Sequence, residues 1–113
     1  MIITFTSITL KSPWKFFSLS NNGRKIQSQA KRSPGFIKMK NTGWWKQHYT
    51  VSAWDSEDAM KKFARSGAHL DAMKKTANLA SELRTYTFEA NEIPDWKSGK
   101  ELLKEKGKVI AVK

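Results

Sequence analysis

The run from His48 to Trp54, HYTVSAW, followed at once by Asp55-Ser56-Glu57-Asp58, narrows the possible folds of this chain more than any other stretch. Its first seven residues suit an extended strand, in which side chains alternate between two faces. Tyr49, Val51 and Ala53 share one face and suit packing under helices. His48, Thr50, Ser52 and Trp54 share the other, a polar but uncharged face that suits the lining of a partly wet cavity. Asp55 or Ser56 then caps a helix, with Glu57 and Asp58 in the first turn, where the helix dipole favours anions. Met60, Phe63 and Ala64 form its apolar stripe, and Ser66-Gly67 ends it. A second short helix, Ala68 to Ala80, opens on His69 and carries Leu70, Met73, Ala77 and Ala80.

The other segments are placed by what they pack against in this unit. Met1–Leu10 is rich in β-branched residues and reads as a strand. Ser12-Pro13 starts a helix whose buried stripe is expected to be Trp14 and Phe17, with Phe16 and Leu19 as further candidates, and the spacing resumes at Ile26 and Ala30 after Asn21-Asn22-Gly23. One broken helix over 13–32 is the expectation, since Asn and Gly favour caps and turns. Phe36–Lys40 is a second strand, Asn41-Thr42-Gly43 a turn, and Trp44–Trp54 contains the third strand of a hairpin. Leu83–Ala90 alternates as the fourth strand. A last helix over 95–106 ends at Gly107, and Val109–Val112 could add a fifth strand. The order is that of an α+β, ferredoxin-like split βαβ fold: a four-stranded antiparallel sheet with helices on one face. It forms a single domain over 1–113, in which 91–113 is a C-terminal helix and tail.

Composition sets limits on function. At 113 residues with 39% hydrophobic content and five Trp, the chain can bury a core. The absence of cysteine excludes disulfides, thiolate metal sites and cysteine nucleophiles, and fits a cytoplasmic location. No apolar run reaches the ~18 residues of a membrane-spanning helix. The net charge of +11 is unevenly spread, because every one of the ten acidic residues lies beyond residue 50. A basic N-terminal half suits a polyanion such as nucleic acid, an anionic lipid surface or an acidic partner, and equally suits lysines that are simply solvated.

Several blocks together, Ser33-Pro34-Gly35-Phe36, HYTVSAWDSEDAM over 48–60, and FARSGAH over 63–69 with Ala72-Met73, resemble the antibiotic-biosynthesis-monooxygenase-like superfamily. The spheroidene-monooxygenase-like branch is the most similar, and Trp14-Lys15-Phe16-Phe17 also fits it. The likeness covers roughly residues 2–90. It implies a dimeric α+β barrel, hence a homodimer, with a pocket in each protomer between sheet and helices. The superfamily includes cofactor-free oxygenases, haem-degrading enzymes and carotenoid oxygenases, so the resemblance leaves either no cofactor or haem. Trp54 and His69 sit where haem-degrading members place a strand-end Trp and a helical His, although the strand-one Asn of those enzymes has no counterpart among Thr4, Thr6 or Ser7.

The candidate residues follow. His69 and Trp54 are the catalytic candidates, with His69 as base or haem ligand and Trp54 as wall or electron relay. Each also has a plainer reading, as a histidine tied to backbone near a helix start and as a core aromatic. Thr6, His48, Thr50 and Ser52 are candidates for binding a small hydrophobic ligand, aromatic or polyene. Arg84 and Tyr86 join them if their face of the fourth strand points inward; if Thr85 and Thr87 do so instead, the pair is on the surface. With two histidines and no cysteine, a protein-built zinc site is not expected. The leading expectation is a monooxygenase-like protein. Its rivals are a non-catalytic basic module for nucleic acid or another polyanion, and an inactive dimeric scaffold.

Overall fold

The computed structural model describes residues 1–112, with backbone alone at 67, 68, 72, 73, 77 and 110–112. Strand β1 (Ile2–Leu10) is the middle strand, paired antiparallel with β3 (Gln47–Trp54) on one side and β4 (Ala80–Glu89) on the other. Strand β2 (Phe36–Trp44) lies outside β3 and β5 (Lys108–Val112) outside β4, giving the order β2-β3-β1-β4-β5, antiparallel throughout. Helix α1 (Phe16–Lys31) follows a short 3-10 turn at Pro13–Lys15. Helices α2 (Glu57–Ala64) and α3 (Gly67–Leu79) join β3 to β4, and α4 (Trp96–Lys106) precedes β5. This is the expected α+β, ferredoxin-like order with five strands instead of four. The tail expected over Val109–Val112 is the fifth, paired with β4 of the same chain.

The alternation along β1 sorts its side chains into two packing layers. Ile3 and Phe5 are fully buried with Val51, Ala53 and Leu103, and Phe5 meets Trp96 edge-on at 5.9 Å. That layer lies beneath α4. Ile2, Ile8 and Leu10 point the other way, under α1, α2 and α3. The three main helices thus share one face, as expected, and α4 alone crosses to the second. Tyr49, Val51 and Ala53 do pack under a helix, but the helix is α4. The face of His48, Thr50, Ser52 and Trp54 is roofed by the other three.

Three local expectations are corrected. Trp14 and Phe17 are not buried but 77% and 70% exposed, and of that expected stripe Leu19 is the residue that packs on the core. Helix α1 runs unbroken through Asn21-Asn22-Gly23, because Asn22 falls on the stripe between Leu19 and Ile26 and is buried by the sheet. The hairpin turn is not at Asn41-Thr42-Gly43. Strand β2 continues through these residues, and Trp44 pairs with Gln47, so Trp45 and Lys46 make the turn. Trp45 takes φ 58°, a left-handed conformation that glycine and asparagine occupy at little cost. For a bulky residue it costs on the order of 1–2 kcal/mol.

Capping follows from the sequence. The Ser56 hydroxyl accepts from the Ala59 amide at 3.1 Å, Ser66 from His69, and Asp95 from Ser98. Gly35, at φ 83°, closes the turn before β2, and a side chain there would collide with Asp55 and Ala59.

Gly99 lets α4 lie against the sheet, since a Cβ at this position would run into the Phe5 ring. Gly99→Ala is expected to lower stability by about 1–3 kcal/mol. Gly23→Ala, in a helix interior with open space around it, should raise stability by about 0.5–1 kcal/mol. Thermal denaturation of the two variants checks both signs. A neutral Gly99→Ala would show that α4 does not pack as described.

Candidate functional site

The sheet face beneath α1–α3 is apolar at its two ends and hydroxylated in the middle. At one end Trp54, 1% exposed, packs with Ala30, Phe63, Phe36 and Ile26; at the other, Ile8, Leu10 and Leu83 pack with Leu19. Between them the register sets Thr6 beside Thr50 and Thr85, and Thr4 beside Ser52 and Thr87. This is a floor of six adjacent hydroxyls on three strands. Thr4 and Thr87 share a hydrogen bond at 3.0 Å, and Thr85 donates to the Phe5 carbonyl at 3.1 Å. Thr6, Thr50 and Ser52, each half-buried, have no protein partner for their hydroxyls among the described residues.

Asn22 stands over this floor. It lies on α1 between Leu19, which packs at one apolar end, and Ile26, which packs at the other. It is 7% exposed, and its amide makes no hydrogen bond to protein among the described residues but keeps some contact with solvent. An amide so placed can bond water or a polar group of a ligand. Thr76 on α3 is also buried near the Leu79 end. Sequence reading missed both helical residues. The available signal was an asparagine at helical spacing between two stripe residues, which reads equally well as a break.

At the Trp54 end, aromatic rings form a chain. Phe63 stacks on Trp54 with centroids 4.9 Å apart and meets His69 edge-on at 4.8 Å. Phe63 therefore stands between the two catalytic candidates. The His69 Nδ1 lies 3.2 Å from the Ala64 carbonyl, so Nδ1 carries the proton and Nε2 presents a lone pair. The backbone tie is the plainer reading of His69, and it leaves one ring nitrogen for chemistry. Burial lowers the His69 pKa from its ordinary value, and the hydrogen bond to Ala64 offsets this only in part. The side chain of Met73, expected one turn beyond His69, lies outside the described residues.

The remaining candidates lie apart. His48 is on the same face as Trp54, but six residues along a strand place it about 20 Å away. It is buried there, with Nε2 3.0 Å from the Trp45 carbonyl and its ring stacked on Phe16. Arg84 and Tyr86 point to the opposite face, because Thr85 and Thr87 occupy the hydroxyl floor. Tyr86 stacks on Phe88 at 5.4 Å within the α4 layer. Arg84 lines a groove of about 340 Å³ with Ser7, Gln47, Tyr49 and Lys100; its guanidinium is 3.4 Å from Glu82, and its Nε is buried without a partner among the described residues. A second cavity, of about 450 Å³, lies on the outer face of α1 along Arg24, Ser28 and Arg32.

Haem would need His69 Nε2 as its ligand. The ring is already packed by Phe63, and neither cavity reaches it. Among the described residues, neither of these two grooves supplies a haem pocket at this nitrogen. No group of three or more potential metal ligands occurs among the described residues.

No family model and no curated protein matches the sequence. Solved structures do match the fold. A putative antibiotic biosynthesis monooxygenase from Nitrosomonas europaea superposes with a TM-score of 0.73 at 14% identity, over 81% of this chain and 100% of that one. SnoaB, a cofactor-independent oxygenase from Streptomyces nogalater, gives 0.68 at 16% identity over 83% and 97%. A putative antibiotic biosynthesis monooxygenase from Deinococcus radiodurans gives 0.64 at 14% over 84% and 97%. The chain has the antibiotic-biosynthesis-monooxygenase-like fold that the sequence resemblance implied.

The depressed pKa of His69 has a consequence for stability. The unfolded chain binds this proton more readily, so the contribution of neutral His69 is complete above the ordinary value of 6.5 and is lost as the pH falls through the lower folded value. Melting temperature should fall between about pH 7 and about pH 5, and less steeply in His69→Gln. An identical slope in the variant would remove His69 as the titrating group. Haemin is expected to give no Soret shift that His69→Ala abolishes.

Proposed function

We propose that this monooxygenase-like fold holds a small hydrophobic molecule, aromatic or polyene, on the hydroxyl floor between the sheet and α1–α3. The observation that carries the reading is the set of open Thr6, Thr50 and Ser52 hydroxyls between two apolar ends, with Asn22 on the same side of α1 as Leu19 and Ile26. Flat apolar rings or chains with one or two oxygens match such a surface: carbon at the ends, oxygen in the middle. Arg84 and Tyr86, on the other face, take no part in this reading.

In chemical terms the reading is a cofactor-free oxygenation. The His69 Nε2, neutral near pH 7, takes a proton from an electron-rich substrate whose edge lies at the Trp54 end. The resulting carbanion gives one electron to dioxygen, and the radical pair closes to a carbon-bound peroxide. Loss of water converts a ring CH2 to a carbonyl, with one oxygen atom kept and the other leaving as water. Trp54 and Phe63 wall the site against solvent. The reading also takes the protein as a homodimer. Light scattering at micromolar concentration that returned the mass of one chain would overturn that part.

Thr6→Val and Thr50→Val replace hydroxyls by methyls of similar size. Each is expected to weaken binding of an oxidisable polycyclic phenol about five- to tenfold, and to leave binding of the parent hydrocarbon unchanged. Oxygen uptake with the phenol should fall in parallel, and further in His69→Ala. If the valine variants bind the phenol as the parent protein does, the hydroxyl floor is not the binding surface.

A further inference from the structure

We infer that the end of the molecule formed by the start of α1 and the β2–β3 turn docks on an anionic lipid surface. Four large rings project there. Trp14 stands on the 3-10 turn before α1, Phe17 on the first turn of α1, and Trp44 and Trp45 at the hairpin tip, between 61% and 81% exposed. The two elements form one surface. Phe16 contacts Phe17 and stacks on His48, His48 bonds the Trp45 carbonyl, and the Leu10 amide donates to Lys46. The rings expose on the order of 500 Å² of aromatic surface, as much as the largest apolar patch on an ordinary monomer.

Charge identifies the occupant. Lys11, Lys15 and Lys46 flank the rings, and residues 1–50 contain no acid. None of the described ion pairs uses a cation from that half. Indoles beside lysines suit a bilayer interface, where rings sit at headgroup level and cations meet anionic lipids. A second copy of this chain fits poorly, because a two-fold contact would set lysines against lysines. A nucleic-acid strand would stack on rings set along a groove, whereas these rings protrude from a helix start and a turn tip. The turn adds an independent observation. Trp45 holds the left-handed position that glycine would occupy without strain, so an indole is kept at the very tip against a local cost. No helix among the described residues is long and apolar enough to cross a membrane, so the contact is peripheral.

The test is co-sedimentation of the full chain with vesicles of phosphatidylcholine alone and of phosphatidylcholine mixed with phosphatidylglycerol. Binding is expected to the mixed vesicles, weakening as salt rises, with an indole blue shift. Trp45→Gly removes the ring and relieves the backbone. It should lower vesicle binding at least tenfold while the melting temperature stays level or rises, which separates lost contact from lost fold. Lys46→Gln should cost about fivefold. Equal binding by Trp45→Gly and the parent protein overturns the inference. So does binding of a single-stranded oligonucleotide without binding to vesicles, or a Trp45→Gly change in oligomer mass in place of a change in lipid binding.

Discussion

Strand β1 is hydrogen-bonded on both edges, so its nine residues set the register of the whole sheet. Both faces are defined from it. Ile3 and Phe5 call for apolar neighbours on one side, and β3, β4 and α4 supply them with Val51, Ala53, Phe88 and Leu103. Thr4 and Thr6, pointing the other way, align with Ser52, Thr50, Thr85 and Thr87. A one-residue slip of β1 would exchange those faces, placing threonines under α4 and Phe5 on the hydroxyl floor. The candidate site thus rests on the same register that builds the core.

Much of this was legible in the chain because period-two alternation and helix caps are local signals. HYTVSAW followed by DSED gives strand β3, the Ser56 cap and α2 from nearest neighbours alone. Less legible was whatever depended on partners far along the sequence. Asn21-Asn22-Gly23 carries turn propensity, and only burial against the sheet keeps α1 continuous across it. The hairpin turn moved from Asn41-Thr42-Gly43 to Trp45-Lys46 because pairing with β3 outweighs glycine's preference for a bend. Arg84 and Tyr86 share a face by parity, but parity does not say which face meets α1–α3; pairing with β1 decides it. His48 shares its face with Trp54 correctly, yet lies too far along the strand to meet it.

The site itself divides in the same way. Trp54 and His69 were visible as unusual residues in patterned surroundings. The ring between them was visible only as a stripe residue of α2, and Phe63 is what turns two separate side chains into one aromatic wall. Asn22 was hidden because a polar residue on a buried stripe resembles a break until the sheet beneath it is known. Solved structures with this fold at 14–16% identity, among them an oxygenase that needs no cofactor, show how little sequence the architecture requires. Chemistry on such a scaffold is a matter of a few floor and wall positions.

The tryptophan at the hairpin tip has a consequence at the level of the gene. Tryptophan has a single codon, one base away from a glycine codon. The substitution that would relax this backbone is therefore always one mutational step away, and drift alone would supply it. A chain that retains the indole does so against an easy exit, and the turn becomes a place where sequence variants among natural populations record whether the ring is used.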